Sequence, residues 1–190
     1  MAVVSIHPEQ IQGPWVAGFV LDRHVVKSVP IGYLGDHMQF DTTRSELGEL
    51  VYQFKNRNGS SQDIVETAVA FVSDVWAGRS DCVVAAPSSV THSSRSANAI
   101  AAGIADALGL PLIDNAVAKQ ETQPMKNVPQ PDRAGILAQA IQSGQAAVQG
   151  RHILLIDDLW QTGSTMRRVA AVLKEMGGAE VRALAMTRTK

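Results

Sequence analysis

The sequence predicts a three-layer α/β fold around a parallel sheet, and three observations carry that prediction. Cys82–Pro87 and His152–Ile156 are short, continuously apolar runs, the pattern of strands buried on both faces. His152–Ile156, a helical stretch Thr165–Met176 and a further apolar run Val181–Met186 follow one another at the spacing of a right-handed βαβ unit. The chain has 190 residues, 45% hydrophobic and 18% charged, which is ordinary globular composition and enough for one buried core. The expectation is a single domain over residues 1–190, with an N-terminal region 1–40 and a core 41–190.

The elements follow in order. Pro14–Gly35 is rich in Val, Phe and Tyr and broken by Pro and Gly, which reads as strands with turns. Thr43 opens a helix, with Glu46 as its capping-box partner. Leu47, Leu50, Val51 and Phe54 then keep the spacing of one buried face. A second helix is expected from about Gln62 to Ala77. Its stripe is Ile64, Ala68, Phe71, Val72 and Val75, and Gly78 suits its C-terminal cap. After the Cys82–Pro87 strand and a polar loop comes an Ala-rich helix ended by Gly109, then a short strand in "LPLID". Lys119–Arg133 holds three prolines and little that is apolar, and a loop this long in a compact domain is usually functional or disordered. "AGILAQAIQ" reads as a short helix. In the last helix Val169, Val172, Leu173 and Met176 form the core face, and Gly177-Gly178 ends it.

Formal net charge is −1, so there is no general pull toward nucleic acid or an anionic membrane. Cys82 is the single cysteine. It rules out an intramolecular disulfide and a cysteine-based zinc site, and its apolar surroundings read as a small buried thiol. No apolar run approaches the ~18 residues of a membrane span. The N-terminus lacks the pattern of a signal peptide, so a cytoplasmic protein with no membrane partner is expected. His24, His37 and His92 show no metal-ligand spacing and read as polar or partly buried residues.

The chemistry concentrates in "HILLIDDLWQTGSTM", His152–Met166. A strand buried on both faces ends, at its carboxyl edge, in the crevice where ligands bind. Ile153–Ile156 would deliver Asp157 and Asp158 there. Two carboxylates can accept hydrogen bonds from vicinal hydroxyls or hold a divalent cation. Thr162, Gly163, Ser164 and Thr165 lie at the start of the next helix. Gly163 lets the backbone turn tightly, and N–H groups, hydroxyls and the helix dipole converge on one spot. Diol-binding acids one turn from a phosphate cup match a ribose 5-phosphate. A Walker B strand also ends in acids but serves a P-loop, and the chain has no G-x-x-x-x-G-K-[ST]. In a receiver domain the acidic pair lies near the start, whereas here only Leu159–Lys190 follows it. The plainer alternative is that the acids cap the following turn.

Asp157-Asp158-Leu159-Trp160-Gln161-Thr162-Gly163-Ser164-Thr165 is a full match to D-D-x-x-x-T-G-x-T. In this the sequence resembles the type I phosphoribosyltransferases. The resemblance implies their three-layer parallel-sheet fold with a small N-terminal hood. It implies binding of phosphoribosyl pyrophosphate (PRPP) with Mg²⁺, held mainly through PRPP and by Asp157 and Asp158. Those two acids would take the ribose hydroxyls, and Thr162–Thr165 the 5-phosphate. Within the class the chain is most similar to the competence protein F (ComF) group. "TTRSELGELVYQFKNRNG" resembles that group's early helix with its Lys-Tyr ending, here Lys55-Asn56. "AAPSSVTHSSRSANAIA" resembles its Val-Pro-Val-Pro loop followed by Arg-Gly-Phe-Asn. Arg95 and Asn98 fit that motif; Ser96 and Ala97 do not. "KQETQPMK…R" resembles the loop carrying Thr, Gln and a later Arg. The group's N-terminal four-cysteine zinc module is missing from this sequence.

In type I enzymes the loop after the first core strand grips pyrophosphate. By position that is Ala86–Ser89, with Ser88 and Ser89 as donors and Arg95 adding charge-assisted bonds. The alternative is a polar loop leading into a helix, with Arg95 solvated. Lys119–Arg133 would be a flexible hood excluding water, with Lys119, Lys126 and Arg133 as pyrophosphate ligands, or else a surface loop with ordinary charges. Arg167 and Arg168 read as solvated or paired. Trp160 reads equally as a wall of the site or as packing. The expected reaction displaces pyrophosphate from ribose C1 by a nitrogen nucleophile, whose identity Met1–Phe40 would read. A second expectation is a non-catalytic PRPP-sensing or DNA-uptake protein, with weak association with single-stranded DNA. A homodimer is expected in either case.

Overall fold

The computed structural model describes residues 3–87, 94–119, 135–136 and 140–189, with residues 94 and 95 described by their backbone alone. Ser88, Ser89, Lys126 and Arg133 lie outside the described residues, as does most of the expected 119–133 hood. Nine strands and four helices are described, and the helices are labelled here in chain order. They are β1 Glu9–Gln10, β2 Ala17–Arg23, β3 Lys27–Leu34, β4 His37–Thr43, α1 Glu46–Asn56, α2 Gln62–Val75, β5 Cys82–Ala85, α3 Ser94–Leu108, β6 Val117–Lys119, β7 Ile141–Ser143, β8 His152–Trp160, α4 Ser164–Glu175 and β9 Glu180–Arg188.

Five strands form the central sheet in the order β1-β2-β9-β8-β5. β1 is antiparallel, and the β2-β9, β9-β8 and β8-β5 pairs are all parallel. Because side chains alternate along a strand, each central strand feeds two cores. Ile153 and Leu155 of β8, with Val181, Ala183 and Ala185 of β9, pack under Met166, Val169, Val172 and Leu173 of α4. Leu154, Ile156, Leu184 and Met186 face Leu47 and Val51 of α1, Ile64 and Ala68 of α2, and Ile100 and Ile104 of α3. This is the three-layer α/β arrangement read from the sequence.

Several elements depart from the sequence reading, each for a local reason. Thr43 does not cap α1, because it is the last residue of β4 and pairs with Lys27. Ser45 takes the cap instead, its Oγ accepting the Gly48 N–H at 2.9 Å. α2 ends at Val75, which is 44% exposed, while Trp76 turns inward against Phe19 and Phe71. Ile141 and Gln142 are not helical, because they pair antiparallel with Lys119 and Ala118. The "LPLID" strand is reduced to one parallel bridge between Leu112 and Val83.

The segment 1–40 contributes in two ways. β1 and β2 are built into the central sheet, whereas β3 and β4 form a separate two-stranded hairpin. The hairpin leaves Ile31, Tyr33, Leu34 and Phe40 exposed. Cys82 is fully buried, and burial pushes its thiol up to about 12, as expected of a packing residue. Among the described residues no helix is long and apolar enough to cross a membrane.

Candidate functional site

The site is set by how far β8 runs. Its pairing with β9 continues past both acids to Trp160↔Arg188, so Asp157 and Asp158 stand inside the strand rather than beyond its end. Among the described residues, pairing with β5 stops at Ala85↔Ile156, and the Ala86 N–H bonds the Ile156 carbonyl at 2.8 Å. Among the described residues, the β5 side of β8 is therefore unpaired at the acids. That is the crevice expected at the carboxyl edge of a parallel sheet.

Consecutive strand residues face opposite sides, and this separates the pair. Asp157 continues the Ile153–Leu155 face toward α4, while Asp158 continues the Leu154–Ile156 face toward α1 and α3. The two side chains thus leave β8 on opposite faces, while the Asp158 N–H and the coupling of the two carboxyls keep them neighbours. Asp158 is 6% exposed; its Oδ2 takes the Lys55 ammonium at 2.9 Å and the Ser96 hydroxyl. Its N–H donates to Asp157 Oδ1 at 2.9 Å. Thr187 Oγ1 reaches the Asp158 carbonyl at 3.5 Å and His24 Nδ1 at 3.1 Å. Burial, then the nearby Arg44 and Lys55 charges, lower the His24 pKa, which suits this partly buried polar role.

Burial pushes the Asp157 carboxyl up, to about 8, and the neighbouring Asp158 carboxylate pushes it the same way. The N–H groups of Asp158 and Leu159, and the Lys55 charge, pull in the other direction. An unfolded Asp ionises near pH 4, so between about pH 4 and 8 the folded chain holds the extra proton. Raising the pH through that window therefore removes stability. Asp157→Asn is expected to be more stable than wild type by a margin that grows from pH 5 to pH 8, reaching about 1–3 kcal/mol after allowance for partial exposure. Urea unfolding at the two pH values measures it, and a margin that does not change with pH contradicts it.

The cradle forms where β8 turns into α4. Gly163 is the N-cap in the left-handed region, φ 73°, a conformation that suits glycine. Gly163 offers no side-chain cap, and among the described residues the first turn of α4 has only the long Ser164 N–H to Thr162 Oγ1 contact of 3.5 Å, which leaves an N-terminus of the kind that binds anions. Thr162 Oγ1 and Ser164 Oγ are 2.9 Å apart, and Thr165 follows in the first turn. Arg167 braces the turn: its guanidinium donates to the Thr162 carbonyl at 2.7 Å and to the Gln12 carbonyl at 3.0 Å. It also stacks 5.0 Å from the Trp160 ring. Trp160 is buried, packs edge-on against Trp15, and lies where a Cβ on Gly163 would go. Arg168 pairs with the Ile141 carbonyl and Glu175.

The remaining predicted residues divide. Lys119, on β6, is half-buried; burial lowers its pKa, and the Asp157 charge acts on it in the opposite sense, so the two are electrostatic neighbours. Arg95 lies in the first turn of α3. A cavity of about 760 Å³ opens beside the end of β5, lined by Ala86, Pro87, Asn98 and Asp114 among others. Among the described residues its lining includes neither Asp157 nor Asp158, so it flanks the site rather than containing it. Sequence reasoning gave no site role to Lys55, Ser96, Thr187 and His24. The Lys55 motif and the Ser96 departure had both been visible, but nothing local linked either to Asp158.

Fold and site define an α/β chain that sets an acid pair and a glycine-started helix N-terminus at the carboxyl edge of a parallel sheet. Residues 57–188 match the phosphoribosyl transferase domain family, and the chain belongs to that family. Similar solved structures include a phosphoribosylpyrophosphate synthetase from Mycobacterium smegmatis, with 21% identity and a TM-score of 0.44 over 66% of this chain and 33% of that one. A glutamine phosphoribosylpyrophosphate amidotransferase from B. subtilis has 18% identity and a TM-score of 0.49 over 88% and 45%. A purine phosphoribosyltransferase from Pyrococcus horikoshii has 14% identity and a TM-score of 0.46 over 67% and 82%. The chain thus spans less than half the length of the first two. No curated protein sequence matches it.

Proposed function

We propose that the protein binds PRPP with Mg²⁺ and transfers its phosphoribosyl group to a nitrogen nucleophile. The observation that carries this reading is the half-buried Asp157 carboxylate at the open edge of β8, one turn from an uncapped helix whose N-cap is a left-handed glycine. Asp157 takes the ribose hydroxyls, and Asp158 supports it through the N–H that bonds Asp157 Oδ1. Thr162–Thr165 hold the 5-phosphate. Ser88, Ser89 and Arg95 would take the pyrophosphate, with Lys119, Lys126 and Arg133 closing over it.

Mg²⁺ suits this donor set. Among the described residues no group of three or more His, Cys, Asp or Glu could hold a metal by itself. Mg²⁺ is usually bound by one or two carboxylates together with substrate phosphates. Asp157 and Asp158 are the carboxylates on offer. When bound, the ion neutralises charge on the leaving pyrophosphate. The chain's own residues supply positioning and electrostatics for an oxocarbenium-like transition state: the C1–N bond forms as the C1–O bond to pyrophosphate breaks.

The resemblance to the ComF group supports placing the protein among amidophosphoribosyltransferase-like proteins. The β3–β4 hairpin is the part of segment 1–40 that stands apart from the sheet, and acceptor reading is assigned to it. Pyrophosphate release, measured with PRPP and Mg²⁺ against a panel of purines, pyrimidines, ammonia and amines, tests the proposal. Release that depends on one acceptor class is expected. Release equal with and without every acceptor, or none with any, contradicts transfer.

A further inference from the structure

Lys55 lies in the last turn of α1, outside residues 57–188 that match the family. Its ammonium nevertheless reaches across to Asp158 Oδ2 at 2.9 Å, and the two side chains are only 20% and 9% exposed. Ser96 donates to the same oxygen from α3, at a position where the ComF motif has glycine and so no hydroxyl. Asp158 is therefore fixed from two helices of one layer. Its own N–H then fixes Asp157 Oδ1 on the other face of the sheet. A continuous chain runs from the Lys55 ammonium, through the Asp158 side chain and peptide, to the carboxylate at the open edge.

We propose that Lys55 is a positioning residue for PRPP, which locks β8 at Asp158 and so aims Asp157 at the ribose. This rests on the PRPP reading above. Lys55 contacts no ligand in this account, and its effect passes mainly through Asp158, beside the through-space pull of its charge on Asp157. A held carboxylate binds a diol better than one that must be ordered on binding, because small displacements weaken such contacts steeply.

The test is a double-mutant cycle on PRPP–Mg²⁺ affinity, measured by calorimetry on full-length protein, with thermal unfolding run in parallel. Lys55→Met is expected to weaken binding by about tenfold, and Asp158→Asn by a similar factor. Lys55→Met added to Asp158→Asn should change affinity by less than about twofold, because the path is already cut. Lys55→Arg should fall between wild type and Lys55→Met, since the charge returns on a different fork. Should Lys55→Met alone fail to fold, Lys55→Arg against wild type decides: weaker PRPP binding by the folded variant is expected, and unchanged affinity would overturn the inference.

A purely structural Lys55 would lower the unfolding temperature and leave the affinity of the folded protein unchanged, which would overturn the inference. Additive losses in the cycle would also overturn it, because Lys55 would then act on the ligand directly. So would Lys55→Arg behaving like Lys55→Met. Wild type that fails to bind PRPP would overturn the proposed function and this inference with it; wild type that binds while Lys55→Met binds equally well removes the inference alone.

Discussion

Asp157→Asn combined with Asp158→Asn is expected to reduce PRPP affinity by about a hundredfold or more. Hydrogen bonds to charged groups contribute about 1.5–3 kcal/mol each, and two such losses reach this factor. The change keeps the shape of both side chains, so β8 and its ladder to β9 should persist. Asp157, protonated below about pH 8 in the free chain, would have to ionise to meet Mg²⁺ and the diol, and asparagine cannot. Asp158 loses the anion that holds Lys55 at 2.9 Å. Thermal unfolding separates a binding defect from a folding one. A folded double variant that binds PRPP like wild type would remove both residues from the site.

Gly163→Ala is the second large effect, and it acts on both stability and binding. At φ 73° any Cβ is strained by about 1–2 kcal/mol. Here the Cβ would also meet the Trp160 ring, which is itself packed on Trp15 and Arg167. Relief requires the ring to move, and that loosens the turn whose N–H groups and hydroxyls would take the phosphate. A loss of about 2–4 kcal/mol is expected, or roughly 4–16 °C in Tm for a chain of this size. PRPP affinity should fall as well. A variant as stable as wild type, with unchanged affinity, would mean the turn is not held as described.

Legibility in the sequence followed the range of the interactions. The placement of the acid pair on a strand and of Thr162–Thr165 at a helix start was readable because strand, turn and helix start occupy one short stretch. The two cores were readable as buried runs because β5, β8 and β9 are covered on both faces. The place of β2 was not. It pairs with β9 from the far end of the chain, and a strand's neighbour leaves no mark in its own sequence. The start of α1 was misplaced because Thr43 looks like a cap, while its commitment to β4 depends on pairing with Lys27. The opposite facing of Asp157 and Asp158 was latent in strand alternation. It was hidden because the apolar run ends at Ile156, whereas the ladder to β9 continues to Trp160. The partners of Asp158, Lys55 and Ser96, come from helices distant in sequence and could not be paired with it by any local pattern.

Calorimetric titration of the wild-type protein with PRPP in the presence and absence of Mg²⁺ tests the central claim most directly. Saturable one-site binding that strengthens with Mg²⁺ and is lost in the Asp157→Asn, Asp158→Asn double variant is the predicted result. No binding under either condition, or binding that survives in the double variant, would contradict the assignment of this crevice as a PRPP site.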